Sequence, residues 1–289
     1  MKSTAIFLLM LLLVLKLNAQ QQININRIQQ MPDMPSPYEI RDWKNVAEQY
    51  DSLIFSLTSQ GTHLPLMSLG TEGVNYPEIK PIFLDSYVGS TSHGQQREAI
   101  NIIPAMIGAS LVGIDKKTQF GIDWVDKVKD FYNLKNGELV YLNGPSDKSG
   151  NDWWYETMPN IFFYQLYDLY PNTPGFEAQF REVADRWLEA VKVMGGATTP
   201  WQVPYMNYRA WNLKTMQPLV DGVKEPEAAG AIAWILYQAY KELGDDKYLV
   251  GAQWSMDYLD GLTSNPSYEL QLPYGVLAAA KMNAEIGTN

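Results

Sequence analysis

The chain predicts an all-α protein of about four helical hairpins in which inner and outer helices alternate. Three observations carry this: eight apolar-periodic segments follow one another beyond residue 40, they are of two kinds in alternation, and the links between them are short one way and long the other. Segments at about 41–58, 121–132, 174–195 and 245–262 are amphipathic. In the third, Phe176, Phe180, Val183, Trp187, Ala190, Val191 and Met194 form one stripe opposite Arg181, Glu182, Asp185, Arg186, Glu189 and Lys192, which suits an outside layer. Segments at about 95–112, 152–170, 226–243 and 273–286 are apolar or small nearly all round, so they must be covered on all sides and form an inside layer. Strand signals are confined to brief pieces such as ELVYL at 138–142.

The links give this array a direction. Inner-to-outer links are short, down to little more than Gly244, whereas outer-to-inner links at about 59–94, 133–151, 196–225 and 263–272 are long. Links of one kind emerge at one end of an antiparallel array, so one face is built from four long loops, where binding and catalysis are usually placed.

The first residues form an address. Met1-Lys2 precedes an apolar run from Ala5 to Leu15, too short to span a bilayer, and then Leu17-Asn18-Ala19, so residues 1–19 are expected to be a secretory signal peptide cut after Ala19. That segment holds two lysines and no acid, so its loss takes the net charge from −10 to −12. Residues 20–40 are a polar, proline-bearing segment, and 41–289 are the helical domain. A secreted or periplasmic protein is expected, off the membrane once the leader is removed, with no lipid anchor because no cysteine follows the apolar run.

Composition removes several classes. Without cysteine there is no thiolate zinc site, iron–sulfur cluster, disulfide framework or cysteine nucleophile, and 2 histidines leave little for a metal centre, so neither metal nor cofactor is expected. An acidic excess of 32 to 22 argues against a nucleic-acid partner, whose binding draws on clustered positive charge. No G-x-S-x-G occurs, Gly70-Thr71-Glu72-Gly73 lacks the lysine and spacing of a phosphate loop, and DKSGND at 147–152 lacks calcium-loop spacing.

Two stretches, EPEAAGAIAWILYQAYKELGDDKYLVGAQWSMDYLDGL at 225–262 and NPSYELQLPYGVLAAAKMNAEIGT at 265–288, resemble inner/outer helix units of the (α/α) toroid found in six-hairpin glycosidases and toroid polysaccharide lyases. A third, NDWWYETMPNIFFYQL at 151–166, is similar to the Asn-Trp-Trp segment that opens an inner helix in those lyases. The likeness covers roughly residues 41–289 at the level of fold, and no motif in it fixes a reaction. Four hairpins are fewer than the five to seven with which such barrels close, so an incomplete ring from a truncated member is expected. The resemblance implies a carbohydrate substrate.

The long loops hold aromatic rings beside carboxylates, a combination suited to sugars, whose apolar face lies on a ring while their hydroxyls bond polar groups. Glycoside hydrolysis needs one protonated and one ionised carboxyl, about 6.5–9.5 Å apart for inversion or about 5–5.5 Å for retention. The preferred candidates are Glu225 or Glu227 with Asp152 or Glu156, since each pair opens an inner helix at the loop end, and Trp153, Trp154, Trp201, Tyr205, Trp211 and Tyr268 are the candidate sugar platforms. The same residues have plainer readings: Glu-Pro-Glu is good helix-start chemistry, Asp152 suits an N-cap, and Trp153 and Trp154 suit a core. Elimination from a uronic acid would instead use Tyr208 with Asn207 and Arg209, helped by His63 or His93, against the plainer reading that Arg209 ties down its loop through a nearby acid. A non-catalytic glycan-binding protein is the third possibility.

Overall fold

The computed structural model describes residues 41–88, 91–266 and 269–288, so the expected leader 1–19 and the polar segment 20–40 lie outside the described residues. Trp43–Asn289 cluster as one unit. Eight α-helices stand among the described residues, one for each apolar-periodic segment: α1 Trp43–Phe55, α2 Ala99–Leu111, α3 Trp124–Lys127, α4 Trp153–Leu169, α5 Phe176–Val193, α6 Ala228–Leu243, α7 Asp246–Asp260 and α8 Gln271–Ile286.

The inner segments pack in a row, α2 on α4, α4 on α6 and α6 on α8, with α5 and α7 laid outside α6 and α1 outside α2. This is a helical-repeat arrangement, and no packing of α2 on α8 comparable to these joins the ends of the row among the described residues. The predicted stripe of α5 is buried from Phe176 through Val191, while its charged side faces out. Local signals set the short links: α6 ends on left-handed Gly244 (φ 67°), and Asp245 at once caps α7 by accepting the Lys247 N–H at 3.0 Å.

Coverage of the inner layer falls off along the row. α6 is buried on nearly every turn, including Trp234, whereas α8 hides Gln271, Gly275, Ala278 and Met282 and exposes Val276 and Leu277, because α4 and α6 reach it from one side. The α6–α8 approach is close because both helices carry glycine at the crossing. A Cβ on Gly230 would lie 2.5 Å from the Gln271 carbonyl oxygen and 3.0 Å from Gly275 Cα. Gly230→Ala is therefore expected to cost about 1–3 kcal/mol by overpacking, seen as a lower urea midpoint; an unchanged midpoint would mean that the helices do not meet this closely.

Two expectations need correction. The outer segment 121–132 is not one helix: Asp123 caps the short α3, and Val128–Phe131 tightens into a 3₁₀ turn. That turn carries buried Asp130, whose carboxylate accepts the Asn75 N–H at 2.7 Å and pairs with Arg97, pinning the first long loop. The first loop also holds a three-stranded antiparallel sheet, β1 Met67–Leu69, β2 Ile82–Val88 and β3 Thr91–Gln96, which buries Met67 and Ile82 on the helices. The 138–142 piece makes only a bridge from Tyr141 to Tyr132, since Leu139 sits at φ 59° and breaks the extended run. The third loop carries two small hairpins, β4 Ala197–Thr198 with β5 Trp201–Gln202 and β6 Ala210–Asn212 with β7 Gln217–Leu219.

At the far end of the array α1 is held by a buried cluster. Lys116 Nζ bonds Asp51 of α1 at 2.7 Å and lies 3.0 Å from the centroid of the Phe55 ring, and Gln119 bonds both charged partners. Among the described residues no helix is long and apolar enough to cross a membrane.

Candidate functional site

The starts of two inner helices, α4 and α6, meet at Arg209, just ahead of β6. Its guanidinium pairs through Nη2 with Asp152, the N-cap of α4, and through Nη1 with Glu225, at the entry to α6. The backbone fixes the same junction: the Tyr208 carbonyl accepts the Glu225 N–H and the Trp153 indole N–H, each at 3.0 Å, while the Arg209 N–H donates to Leu219 across the β6–β7 hairpin at 2.9 Å. The start of α2 belongs to this face as well, since the Ala99 N–H donates to the Asn143 carbonyl at 2.8 Å in the second long loop.

Three of the four preferred carboxylates are tied here by an ion pair or by backbone donors. Asp152 caps α4 by accepting the Trp154 N–H at 2.9 Å in addition to its ion pair. Glu225 is buried against Arg209. Glu156, also buried, accepts the N–H groups of Gly150, Asn151 and Asp152 on Oε1 and that of Trp211 on Oε2, so it ties a turn to β6. Burial pushes its carboxyl up to about 7 against those four donors. Asp152 is thus the N-cap that its position suggests, and Arg209 ties its loop to nearby acids.

Glu227 differs. It stands at the N-cap position of α6 with 1% of its surface exposed, and among the described residues its Oε1 has no hydrogen-bond partner. Burial raises its carboxyl above the ordinary range, and the neighbouring Glu269 carboxylate adds to the rise; its own N–H and that of Glu269 oppose it. Glu269, two residues before α8, is half-buried, raised by burial and by Asp152 and held down by Arg209. Tyr258 on α7 is pushed up to about 12 by burial first, then by Tyr205, Tyr208 and Glu227.

The aromatic candidates divide. Trp153 and Trp211 are core residues, at 0% and 2% exposure, with Trp153 stacked on Trp187, so neither has a ring face to offer a sugar. Trp154 is half-buried. Tyr205 is half exposed and meets Tyr208 edge-on at 5.2 Å and Tyr258 at 6.4 Å, and Trp201 is exposed with its indole N–H on Asp257 at 2.8 Å. Tyr268 and the His93 side chain lie outside the described residues. His63 is exposed and packs edge-on against Tyr87 at 4.7 Å beside the sheet, and its ring contact is with neither Asn207, Tyr208 nor Arg209. Asn207 keeps a buried Oδ1 without a partner.

One hollow touches this cluster, and a second is lined by none of its residues. The first, about 310 Å³, lined by Glu98, Asn143, Asp147, Asn151, Asp152 and Tyr155, opens on the α2–α4 side. The other, about 830 Å³, runs between α7 and α8 beside Trp201, Met256, Asp257 and Asn283. Among the described residues no group of three or more histidine and acidic side chains is placed to hold a metal. Tyr258 was overlooked because it sits on an amphipathic outer helix, whose polar residues read as a solvated face; its position near that helix's end, on the long-loop side, is the signal that could have found it. The chain matches no protein-family model, no curated protein and no solved structure.

Proposed function

We propose that this is an exported carbohydrate-active hydrolase of (α/α) toroid type, cleaving a neutral glycan at the loop face where α4, α6 and α8 begin. Glu227 carries the reading: a buried carboxyl with an oxygen unpartnered among the described residues, raised above the ordinary carboxylate range by burial, beside tyrosines of which one offers an exposed ring. Such a carboxyl keeps its proton to higher pH than an ordinary glutamate and can give it to a glycosidic oxygen as the bond to C1 breaks. The rings of Trp154, Trp201 and Tyr205 are the candidate platforms that remain among the described residues once Trp153 and Trp211 are assigned to the core.

Elimination from a uronic acid ranks second. It is favoured by the gathering of Asn207, Tyr208 and Arg209, but Arg209 already carries two carboxylates, and with Glu269 beside it the cluster is net negative. Such a field repels a polyanion. The test is incubation of the mature protein with neutral and uronic-acid polysaccharides, following reducing ends and the ultraviolet absorbance of unsaturated uronides. Reducing ends without absorbance are expected. Absorbance would move the chemistry to Tyr208, and bound glycan without cleavage would make the protein a binding module.

A further inference from the structure

Hydrolysis at Glu227 needs a second carboxyl, and the geometry of α6 and α8 leaves one. The glycine crossing at Gly230 and Gly275 draws the two helix starts together, so that Glu227, three residues before Gly230, meets the backbone of Glu269, two residues before Gln271. Asp152, Glu225 and Glu156 are each committed to an ion pair or to backbone donors, whereas among the described residues no hydrogen bond or ion pair ties down the half-buried Glu269 carboxylate. The same helix starts hold further buried polar atoms without partners: Glu227 Oε1, Glu225 Oε2 and both amide atoms of Gln271. Buried polar atoms are rarely left unbonded, and sugar hydroxyls and an attacking water are partners of the kind they lack.

We propose that Glu269 is the second carboxyl of this site, the ionised partner that takes a proton from the attacking water while Glu227 protonates the leaving oxygen. The inference rests on the hydrolase reading. In the step, the water oxygen bonds to C1 as the C1–O bond breaks; the water's proton goes to Glu269, that of Glu227 goes to the departing oxygen, and solvent restores both carboxyls. The charged neighbours fit this division. Glu227 faces Glu269 and Tyr258, neither of them cationic, whereas Glu269, itself raised by burial and by Asp152, alone of the two has the Arg209 guanidinium near it to oppose the rise.

The experiment compares the mature protein with Glu269→Gln and Glu269→Ala on a neutral glycan that the parent cleaves, alongside carbon-13 titration of the glutamate carboxyls. Both variants are expected to lose about a hundredfold or more in kcat. Azide, which needs no base, is expected to restore turnover in Glu269→Ala and give a glycosyl azide. In the titration, removing the Glu269 charge should bring the Glu227 midpoint down. A parent that cleaves no glycan overturns the hydrolase reading itself. An active parent whose Glu269→Gln variant, folded by circular dichroism, keeps its rate within threefold while Glu227→Gln is inactive overturns the assignment of Glu269 alone. An unmoved Glu227 midpoint does the same.

Discussion

Glu227→Gln is expected to lower kcat on an unactivated neutral glycan by about 10²- to 10⁴-fold with little change in KM, the range a positioned general acid contributes. The amide keeps the shape and the contacts of the carboxylate but has no proton to give. The pH profile sharpens the test. Burial and Glu269 raise the Glu227 carboxyl above its ordinary range, so the protonated, active form is present below that value and lost as pH rises through it. The parent enzyme should show this alkaline limb and the variant should not. A substrate with a leaving group that departs without protonation, such as a nitrophenyl glycoside, should be spared much of the loss. Equal loss on both substrates would mean that Glu227 serves the fold rather than proton transfer.

The helical framework was legible because it rests on periodicity and punctuation: the α5 stripe and the Gly244-Asp245 junction both act within a few residues. The sheet of the first loop was not, because Ile82–Val88 is flanked by prolines, glycines and serines that read as loop, and its partners come from either side along the chain. The site divides in the same way. That carboxylates would stand at inner helix starts followed from the alternation, and the plainer alternatives for Asp152 and Arg209 were visible in cap chemistry. Which acids Arg209 would select was not, since its two partners lie 57 and 16 residues away. Glu269 went unselected for a related reason. Its interest depends on the Gly230–Gly275 crossing, a contact between helices that no local pattern announces.

Arg209→Met is expected to lower the stability of the folded protein by about 3 kcal/mol, within the range found when one partner of a buried pair is removed. The methionine preserves much of the stem packing, so the cost is chiefly electrostatic. Glu225 is 3% exposed at its side chain and would be left as a buried anion with no counter-charge, whereas Asp152, at 24%, can turn to water. The cost should therefore depend on Glu225 and on pH. Stranded, its carboxyl binds a proton more tightly in the folded chain than in the unfolded one, so the variant should regain stability relative to the parent as pH falls from its raised value toward the ordinary carboxylate range. For the same reason Arg209→Met with Glu225→Gln should recover at least about half of the loss, a coupling that a double-mutant cycle in urea measures. If the double variant is as unstable as the sum of the singles, Arg209 acts through packing alone. If it recovers, the inner helices α4 and α6 are joined at their starts by charge, and the same guanidinium opposes the rise that burial and Asp152 impose on Glu269.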